Sequence, residues 1–269
     1  MIVHVRGVGL LGPGLASWAA AQDVLRGARP HVAGRTALPP PARLPAAERR
    51  RAGDAIRLAM AVADDALSMD ATDPQALASV FTSSSGEGVN CHSICETLAG
   101  ENRLISPTKF ANSVHNAPSG YWHIAVASQA PSTSLCAFDG SFAAGLIEAA
   151  SQVLSTRRPV LLVASDTPYP EPLNSARPLA DGFGLALILE PWASAQTLAA
   201  LHIGLADAAR AGPLTECADA SLECLRAHTP AARALPMLQA LAQGLAHQAL
   251  VIDYLPGLRL QLDVRVAAN

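Results

Sequence analysis

Residues 132–145, STSLCAFDGSFAAG, join a short strand-like segment to a helix of small residues through a turn that contains Gly140. Cys136 stands at the end of the strand-like segment, and the alanines and glycine that follow the turn favour a closely packed helix. A cysteine between a strand and a helix is placed where an acyl-transferring nucleophile can sit. The segment therefore raises the question of whether Cys136 is catalytic.

The same alternation of strand and helix extends over residues 1–190. Strand-like segments occur at MIVHVRGVGLLG, LASVFTSSSG, STSLCA, PVLLVAS and FGLALILE. Helical periodicity separates the first four, and ERRRAGDAIRLAMAVADDALSMD is predicted to be one long amphipathic helix. Because the strands are apolar runs, the pattern predicts a β-α-β-α-β-α-β-β unit whose sheet is covered on both faces.

The remaining residues, 191–269, form a shorter version of this unit. One strand, LAALHIGLAD, and two helices precede a strand pair that turns at Pro256 and Gly257. The predicted organisation is therefore a complete N-terminal half over residues 1–190 and an abbreviated C-terminal half over residues 191–269.

Composition excludes several classes of function. The 269 residues carry a net charge of −3, whereas nucleic-acid binding usually needs a strong basic excess. The odd number of cysteines, five, favours reduced thiols. The net charge therefore argues against a nucleic-acid partner. No apolar run approaches about 18 residues, so no membrane span is expected, and no signal peptide is recognisable. A cytoplasmic location is the expectation.

Two motifs suggest ligands but have structural alternatives. GVGLLG places Gly7, Gly9 and Gly12 in the spacing of a dinucleotide-binding loop, although the Pro-rich segment 28–47 follows where a strand should come. CHSIC places Cys91 and Cys95 one helical turn apart, without a second ligand pair of recognisable spacing. The structural explanation is favoured for both, and neither a cofactor nor a metal is expected.

A polar cluster precedes the decisive segment. SVHNAPSGYWHI brings His115, Asn116 and His123 to the start of a helix rich in small residues. The cluster could be catalytic, or it could line a pocket or a subunit interface. The second interpretation is favoured because neither a nucleophile elbow nor a Ser-His-Asp order is present.

In order and spacing, these motifs resemble those of the β-ketoacyl-[acyl carrier protein] synthases, condensing enzymes of the thiolase fold. The resemblance is carried by VRGVGLLGPG, ALASVFTSSSGEG, ISPTKFANSVHNAPSGYWHIA, STSLCAFDGSFAAG, RRPVLLVASD and DGFGLALILEP. It implies an α/β, thiolase-like fold, with a nucleophilic cysteine at a helix N-terminus in the first half. It also implies two histidines and a lysine in the second half.

The sequence departs from this pattern at the catalytic positions. If Gly140 is matched to the family glycine, Ala137 rather than Cys136 takes the nucleophile position, and Asp139 replaces a small residue. The histidines that follow, at positions 202, 228 and 247, lie outside the family context, and Lys109, the sole lysine, lies upstream. Cys136, Ala137, Asp139 and Gly140 are therefore predicted to be the remnant of a nucleophile site.

A ketosynthase-like chain without its catalytic residues resembles a chain length factor, and the short form resembles those of aryl polyene and dialkylresorcinol pathways. The resemblance implies a cytoplasmic subunit that is inactive alone and pairs with an active ketosynthase in polyketide or fatty-acid-like elongation. An acyl carrier protein would be the second partner, contacted by arginines at 49–51 and 157–158 unless these only form solvated helix faces. Pocket or interface roles are predicted for His115, Asn116, Tyr121, Trp122 and Phe138.

Two alternatives remain open from the sequence. Cys136 could act with His115 in an active acyltransferase or condensing enzyme. The same fold could also serve as a stand-alone scaffold that binds a small apolar ligand.

Overall fold

The computed structural model describes residues 1–69 and 72–266. Over these residues, eight strands form one mixed sheet. In chain order the strands are β1 (Ile2–Leu11), β2 (Ala78–Ser83), β3 (Ser132–Cys136), β4 (Val160–Asp166), β5 (Phe183–Glu190), β6 (Ala199–Asp207), β7 (Gln248–Leu255) and β8 (Leu258–Val266).

The order of the strands across the sheet is β3-β2-β4-β5-β1-β6-β8-β7. β2 is parallel to both of its neighbours, and the other pairs are antiparallel. The first five strands form one block, which β6 joins by pairing residues 199–202 with residues 2–5 of β1. The predicted α/β fold and the predicted element order over residues 1–190 are confirmed.

Helices follow most of the strands. In chain order they are α1 (Trp18–Leu25), α2 (Ala46–Arg49), α3 (Asp54–Ser68), α4 (Gly88–Ala99), α5 (Pro107–Asn112), α6 (Ala117–Val126), α7 (Ser141–Thr156), α8 (Leu173–Ala176), α9 (Ala208–Ala211), α10 (Ala220–His228) and α11 (Leu235–Gln243). Short 3-10 helices occur at Phe138–Gly140 and Ala231–Ala234. None of the helices in the described ranges is long and apolar enough to cross a membrane.

The sheet is packed on both faces. The larger core joins α7 and α11 to the sheet through residues such as Phe142, Leu146 and Leu238. On the other face, α3 and α6 cover β2, β4 and β5 with a second core that includes Val62 and Trp122. This burial explains why β4 and β5 read as apolar runs without alternation.

The glycines of GVGLLG have a packing role. Gly7 and Gly9 lie inside β1, and a Cβ atom at Gly9 would come within 1.9 Å of the Val62 carbonyl oxygen in α3. The absence of a side chain therefore lets α3 approach the strand. Gly7 and Gly9 thus lie in a strand and not in a phosphate-binding turn, whereas Gly12 follows β1 and bridges to Leu15.

The long helix predicted over residues 48–70 is interrupted. α2 ends at Arg49 and α3 begins at Asp54, with Gly53 as an extended N-cap at ψ 178°. The amide of Asn112 donates to the carbonyl of Arg51 at 3.0 Å, which holds the intervening segment against α5. Glycine and this tertiary hydrogen bond override the helical periodicity.

The two outer strands of the sheet differ. β7 hydrogen-bonds to the segment outside it, because the Thr215 N–H donates to the Val251 carbonyl at 2.8 Å and the Val251 N–H donates to Thr215 Oγ1 at 2.9 Å. β3 is the last strand at the other end, and its two terminal residues, Ser132 and Cys136, are exposed. Within the part of the chain that the structure describes, no segment is paired outside β3.

Candidate functional site

The turn at residues 137–140 connects β3 to α7 and is held from both sides. Phe138 donates its N–H to the Ser84 carbonyl at 3.1 Å, just beyond the end of β2. Ser141 Oγ lies 2.7 Å from the Ser83 carbonyl oxygen and accepts the Ala137 N–H at 3.2 Å. The turn is therefore fixed to β2 and to the first residue of α7.

Asp166 secures this arrangement from the end of β4. Its carboxylate accepts N–H groups from Ser84 at 2.7 Å and from Ala231 at 2.8 Å. Burial raises the pKa of Asp166, and the hydrogen bonds from Ser84 and Ala231 act in the opposite direction. One buried carboxyl thus joins the segment that supports the turn to a 3-10 helix of the C-terminal half.

A cavity of about 460 Å³ lies between this turn and the β7–β8 hairpin. Ala137, Phe138 and Gly140 form one wall, and Tyr254 and the turn at Gly257 form the opposite wall. A Cβ atom at Gly140 would come within 2.5 Å of the Tyr254 carbonyl oxygen, so only glycine permits this approach. We call this space the turn cavity.

Five charged side chains from four segments form a network at the turn cavity. Asp139 is paired with Arg177 and lies 3.2 Å from Arg233. Asp253 lies 2.8 Å from Arg233 and 2.9 Å from Arg259. We call these five residues the Arg–Asp network. Its arginines are hydrogen-bond donors and both carboxylates are paired with arginines, so the network can position charged or polar groups.

Cys136 does not contribute to the lining of the turn cavity, whereas Ala137 does. The Cys136 thiol is exposed at the end of β3 and lies 3.5 Å from the Ser83 hydroxyl. A serine hydroxyl is not a base that could activate a thiol at neutral pH. The role of Cys136 as a remnant and the match of Ala137 to the family's nucleophile stay predictions.

The downstream histidines also lie away from the turn cavity. His202 is in β6, His228 Nδ1 lies 2.8 Å from the Cys224 carbonyl oxygen in α10, and His247 is paired with Asp263. Across the residues that the structure describes, the side chains lining the turn cavity include no histidine, lysine or cysteine. General-base and enolate-stabilising groups of the ketosynthase type are therefore missing from this lining.

The structure does bring His115 and Asn116 together. They line a polar pocket of about 530 Å³ with His123 and serines from α6 and β3. Ser134 donates to Ser119 at 3.0 Å, which ties the exposed strand to the helix. The pocket borders the outer strand of the sheet, and the pocket or interface role of His115 and Asn116 stays a prediction.

The three aromatic residues singled out in the sequence have different environments. Trp122 is fully buried in the core beneath β2, and Tyr121 donates its hydroxyl to Asn112 at 3.1 Å while lining a groove of about 510 Å³. Phe138 is 61% exposed. Because Trp122 is fully buried, it cannot contact a partner subunit, whereas the pocket or interface role of Tyr121 and Phe138 stays a prediction.

The cysteine pair of α4 gives no sign of a metal centre. Cys91 and Cys95 are exposed, and burial together with the neighbouring Cys95 raises the pKa of the Cys91 thiol. Residues 1–69 and 72–266 contain no group of three or more side chains that could hold a metal ion.

Sequence reasoning missed four of the five residues in the Arg–Asp network. Arg177 follows α8, Arg233 lies in a 3-10 helix, and Asp253 and Arg259 belong to the final hairpin. Only Asp139 was identified, because it interrupts the turn motif. The acidic side chain of Asp139 in the turn was the one signal in the sequence that a basic side chain lies nearby.

Comparisons with known proteins agree on the type of fold. Residues 17–249 match the family model described as the N-terminal domain of β-ketoacyl synthases. A structure of the ketosynthase ApeO with its chain length factor ApeC from Xenorhabdus doucetiae is similar at TM-score 0.72 and 23% identity, covering 97% of this chain and 99% of that one. No curated protein matches the sequence significantly.

Two further structures have the same fold. The ishigamide ketosynthase/chain length factor matches at TM-score 0.74 and 14% identity over the full length of both chains. A β-ketoacyl synthase from Burkholderia phymatum STM815 matches at TM-score 0.72 and 10% identity, covering 99% of each chain. The thiolase-like fold expected from the sequence is confirmed.

Proposed function

Because this chain belongs to the β-ketoacyl synthase family, we propose that it is a non-catalytic subunit that resembles a chain length factor and pairs with an active ketosynthase. The observation that carries the proposal is the lining of the turn cavity. Ala137 stands on the wall where a nucleophile would be needed, and arginine–aspartate pairs occupy the surrounding space. Such a lining supports a structural role in place of decarboxylation and condensation.

The structural neighbours support a paired assembly. ApeO is a ketosynthase in complex with its chain length factor ApeC, and the ishigamide structure is also a ketosynthase/chain length factor. The present chain spans nearly the whole of each matched chain. We infer chain elongation of the polyketide or aryl polyene type, with the partner ketosynthase supplying the nucleophile and both histidines.

The exposed edge of β3 is the feature best suited to pairing. An unpaired strand presents backbone donors and acceptors that a second chain can complete. Six exposed large apolar residues belong to the segment from α4 to α6, which precedes β3 in the chain. We call them the 89–124 apolar set: Val89, Leu98, Leu104, Phe110, Val114 and Ile124. Exposed apolar side chains of this kind favour a protein partner.

An acyl carrier protein is the proposed second partner, because the partner ketosynthase must receive its acyl groups from a carrier. Within the arginine clusters at 49–51 and 157–158, we propose that Arg50 and Arg158 contact the carrier protein. Arg51 is paired with Glu48 at 3.4 Å, and Arg157 lies over the Trp192 ring at 5.9 Å. Arg50→Ala is therefore expected to weaken carrier binding more than Arg51→Ala does.

Co-expression tests the proposed function. The chain is produced together with a full-length ketosynthase that carries a Cys-His-His set, and the mixture is analysed by size exclusion and native mass spectrometry. We expect a heterodimer that elongates a carrier-bound acyl chain, while neither subunit does so alone. A stable monomer that ignores the ketosynthase would favour the scaffold alternative. Acyl transfer by the isolated chain would favour the enzyme alternative.

A further inference from the structure

Phe138 adopts a backbone conformation that bulky residues avoid. Its φ is 51°, in the left-handed region, where an L-residue with a large side chain is strained unless its surroundings hold it. Its ring is nevertheless 61% exposed, so the core gains little from it. A strained, exposed aromatic residue that is held in place indicates a contact with another molecule.

The surroundings of Phe138 fix the direction of its ring. The guanidinium of Arg177 lies 3.5 Å from the ring centroid, and the same guanidinium is paired with Asp139. Arg233 donates to the Asp139 backbone carbonyl at 2.8 Å and is itself bound to Asp253. The Arg–Asp network thus holds both the backbone of the turn and the face of the ring.

We propose that Phe138 is the aromatic anchor that selects the ketosynthase partner, and that Asp139, Arg177 and Arg233 are its positioning residues. The proposal rests on the proposed function and deepens it. Phe138 lies two residues beyond β3, which is roughly 7 Å along an extended chain. A partner strand that pairs with β3 therefore passes within reach of the ring.

The chemistry of the ring and its neighbours defines the surface that would accept it. Arg177 is neutralised by Asp139, so the ring enters an interface without an unpaired charge. An apolar recess on the ketosynthase, beside its own exposed strand, fits this pair better than an acidic groove. Aromatic anchors in such recesses commonly dominate the affinity of an interface.

The chain contains a matched control. Trp192 is also an exposed aromatic residue with an arginine over its ring, Arg157 at 5.9 Å. It follows β5 near the amino ends of the parallel strands, because Leu189 pairs with Val160. Phe138 lies beyond their carboxyl ends, where Ser83 pairs with Cys136. Phe138 and Trp192 therefore lie at opposite ends of the parallel strands, Phe138 at the carboxyl ends and Trp192 at the amino ends.

The first experiment measures the affinity of the purified chain for the same ketosynthase. We expect Phe138→Ala to weaken the complex on the order of tenfold, with the melting temperature of the isolated chain nearly unchanged. Trp192→Ala should leave the affinity unchanged. Phe138→Gly, which accepts the positive φ, is the second variant if the alanine variant folds poorly. Wild-type affinity in folded variants overturns the proposal, as does a longer product at unchanged affinity.

The second experiment separates positioning from general structural support. Asp139→Asn should weaken ketosynthase binding in the wild-type background but have no further effect in the Phe138→Ala background, because it acts through the ring. Additive losses would overturn the positioning role. If the wild-type chain forms no complex at all, the proposed function fails. If it pairs normally and the variants pair equally well, only this inference fails.

Discussion

The two edge strands of the sheet, β3 and β7, differ in whether another segment of the chain covers them. At the β7 end, Thr215 hydrogen-bonds to both the N–H and the carbonyl of Val251, so the middle of that edge is covered. At the β3 end, the outer strand is short and partly exposed, and the 89–124 apolar set lies in the adjoining segment. The molecule therefore protects one edge from association and leaves the other available.

The difference between the covered β7 edge and the uncovered β3 edge favours an interface at β3. Soluble proteins usually block edge strands, because unpaired edges promote aggregation. Thr215 hydrogen-bonds to the β7 edge, and no corresponding contact covers β3 in the described residues. The exposed edge and the polar pocket of His115 lie at this unprotected end, and Phe138 follows β3 directly in the chain. We expect the ketosynthase to bind there.

The largest expected effect comes from removing the support beneath the β3 end. Trp122 is fully buried, and its indole N–H has no hydrogen-bond partner in the described residues. Trp122→Ala should lower the free energy of unfolding by about 3–5 kcal/mol, because it leaves a large cavity. Trp122→Phe should cost much less, since no hydrogen bond is lost. Chemical denaturation measures both, and an unchanged stability for the alanine variant would show that this core tolerates the cavity.

The next effect tests the 89–124 apolar set. Phe110→Asp combined with Ile124→Asp places two charges in this set and should weaken ketosynthase binding on the order of a hundredfold, or roughly 2.7 kcal/mol. Leu205→Asp is the matched control, because Leu205 is equally exposed but lies in β6. Analytical ultracentrifugation of the mixed subunits measures the result. Equal losses for both variants would contradict a preference for the β3 end.

A smaller effect is expected when the protected edge is opened. Thr215→Val removes the oxygen that accepts the Val251 N–H and should lower the free energy of unfolding by about 1 kcal/mol. It should also increase self-association of the isolated chain, whereas Thr215→Ser keeps the hydroxyl and should behave as the wild type. Light scattering over a concentration series separates the two variants. Monodisperse Thr215→Val would mean that this contact does not protect the edge.

The smallest expected effect concerns Cys136. Cys136→Ala removes an exposed thiol that contacts the Ser83 hydroxyl, so the free energy of unfolding should change by less than about 0.5 kcal/mol. Product yield of the heterodimer should be almost unchanged, while replacing the partner's nucleophilic cysteine abolishes it. Product analysis by mass spectrometry makes the comparison. Loss of product from an intact Cys136→Ala complex would restore the enzyme alternative.

The fold was largely predictable because its information is local. Apolar runs such as PVLLVAS and FGLALILE become the fully buried strands β4 and β5. The predicted helix over residues 48–70 was wrong where local periodicity met a tertiary contact, at Gly53 and the hydrogen bond from Asn112. Glycines 7 and 9 gave a misleading loop motif, since the approach of α3 that requires them is a long-range contact.

The site was predictable only in part, for the same physical reason. The turn and its departure from the family pattern lie in one segment, so Ala137 and Asp139 could be identified. Arg233 and Arg259 come from distant segments with no motif of their own, and only folding brings them to Asp139 and Asp253. Burial also separated Trp122 from Phe138, which sequence composition had treated alike.

The position of β1 has a consequence for synthesis of the chain. β1, the first of the described strands in chain order, lies in the middle of the sheet, and its neighbours are residues 184–190 on one side and residues 199–202 on the other. Its backbone groups stay without strand partners until residues 184–202 have been made. Such late, long-range pairing slows folding and prolongs exposure of apolar segments. Co-translational association with chaperones, or with a nascent ketosynthase, would protect the chain during that interval.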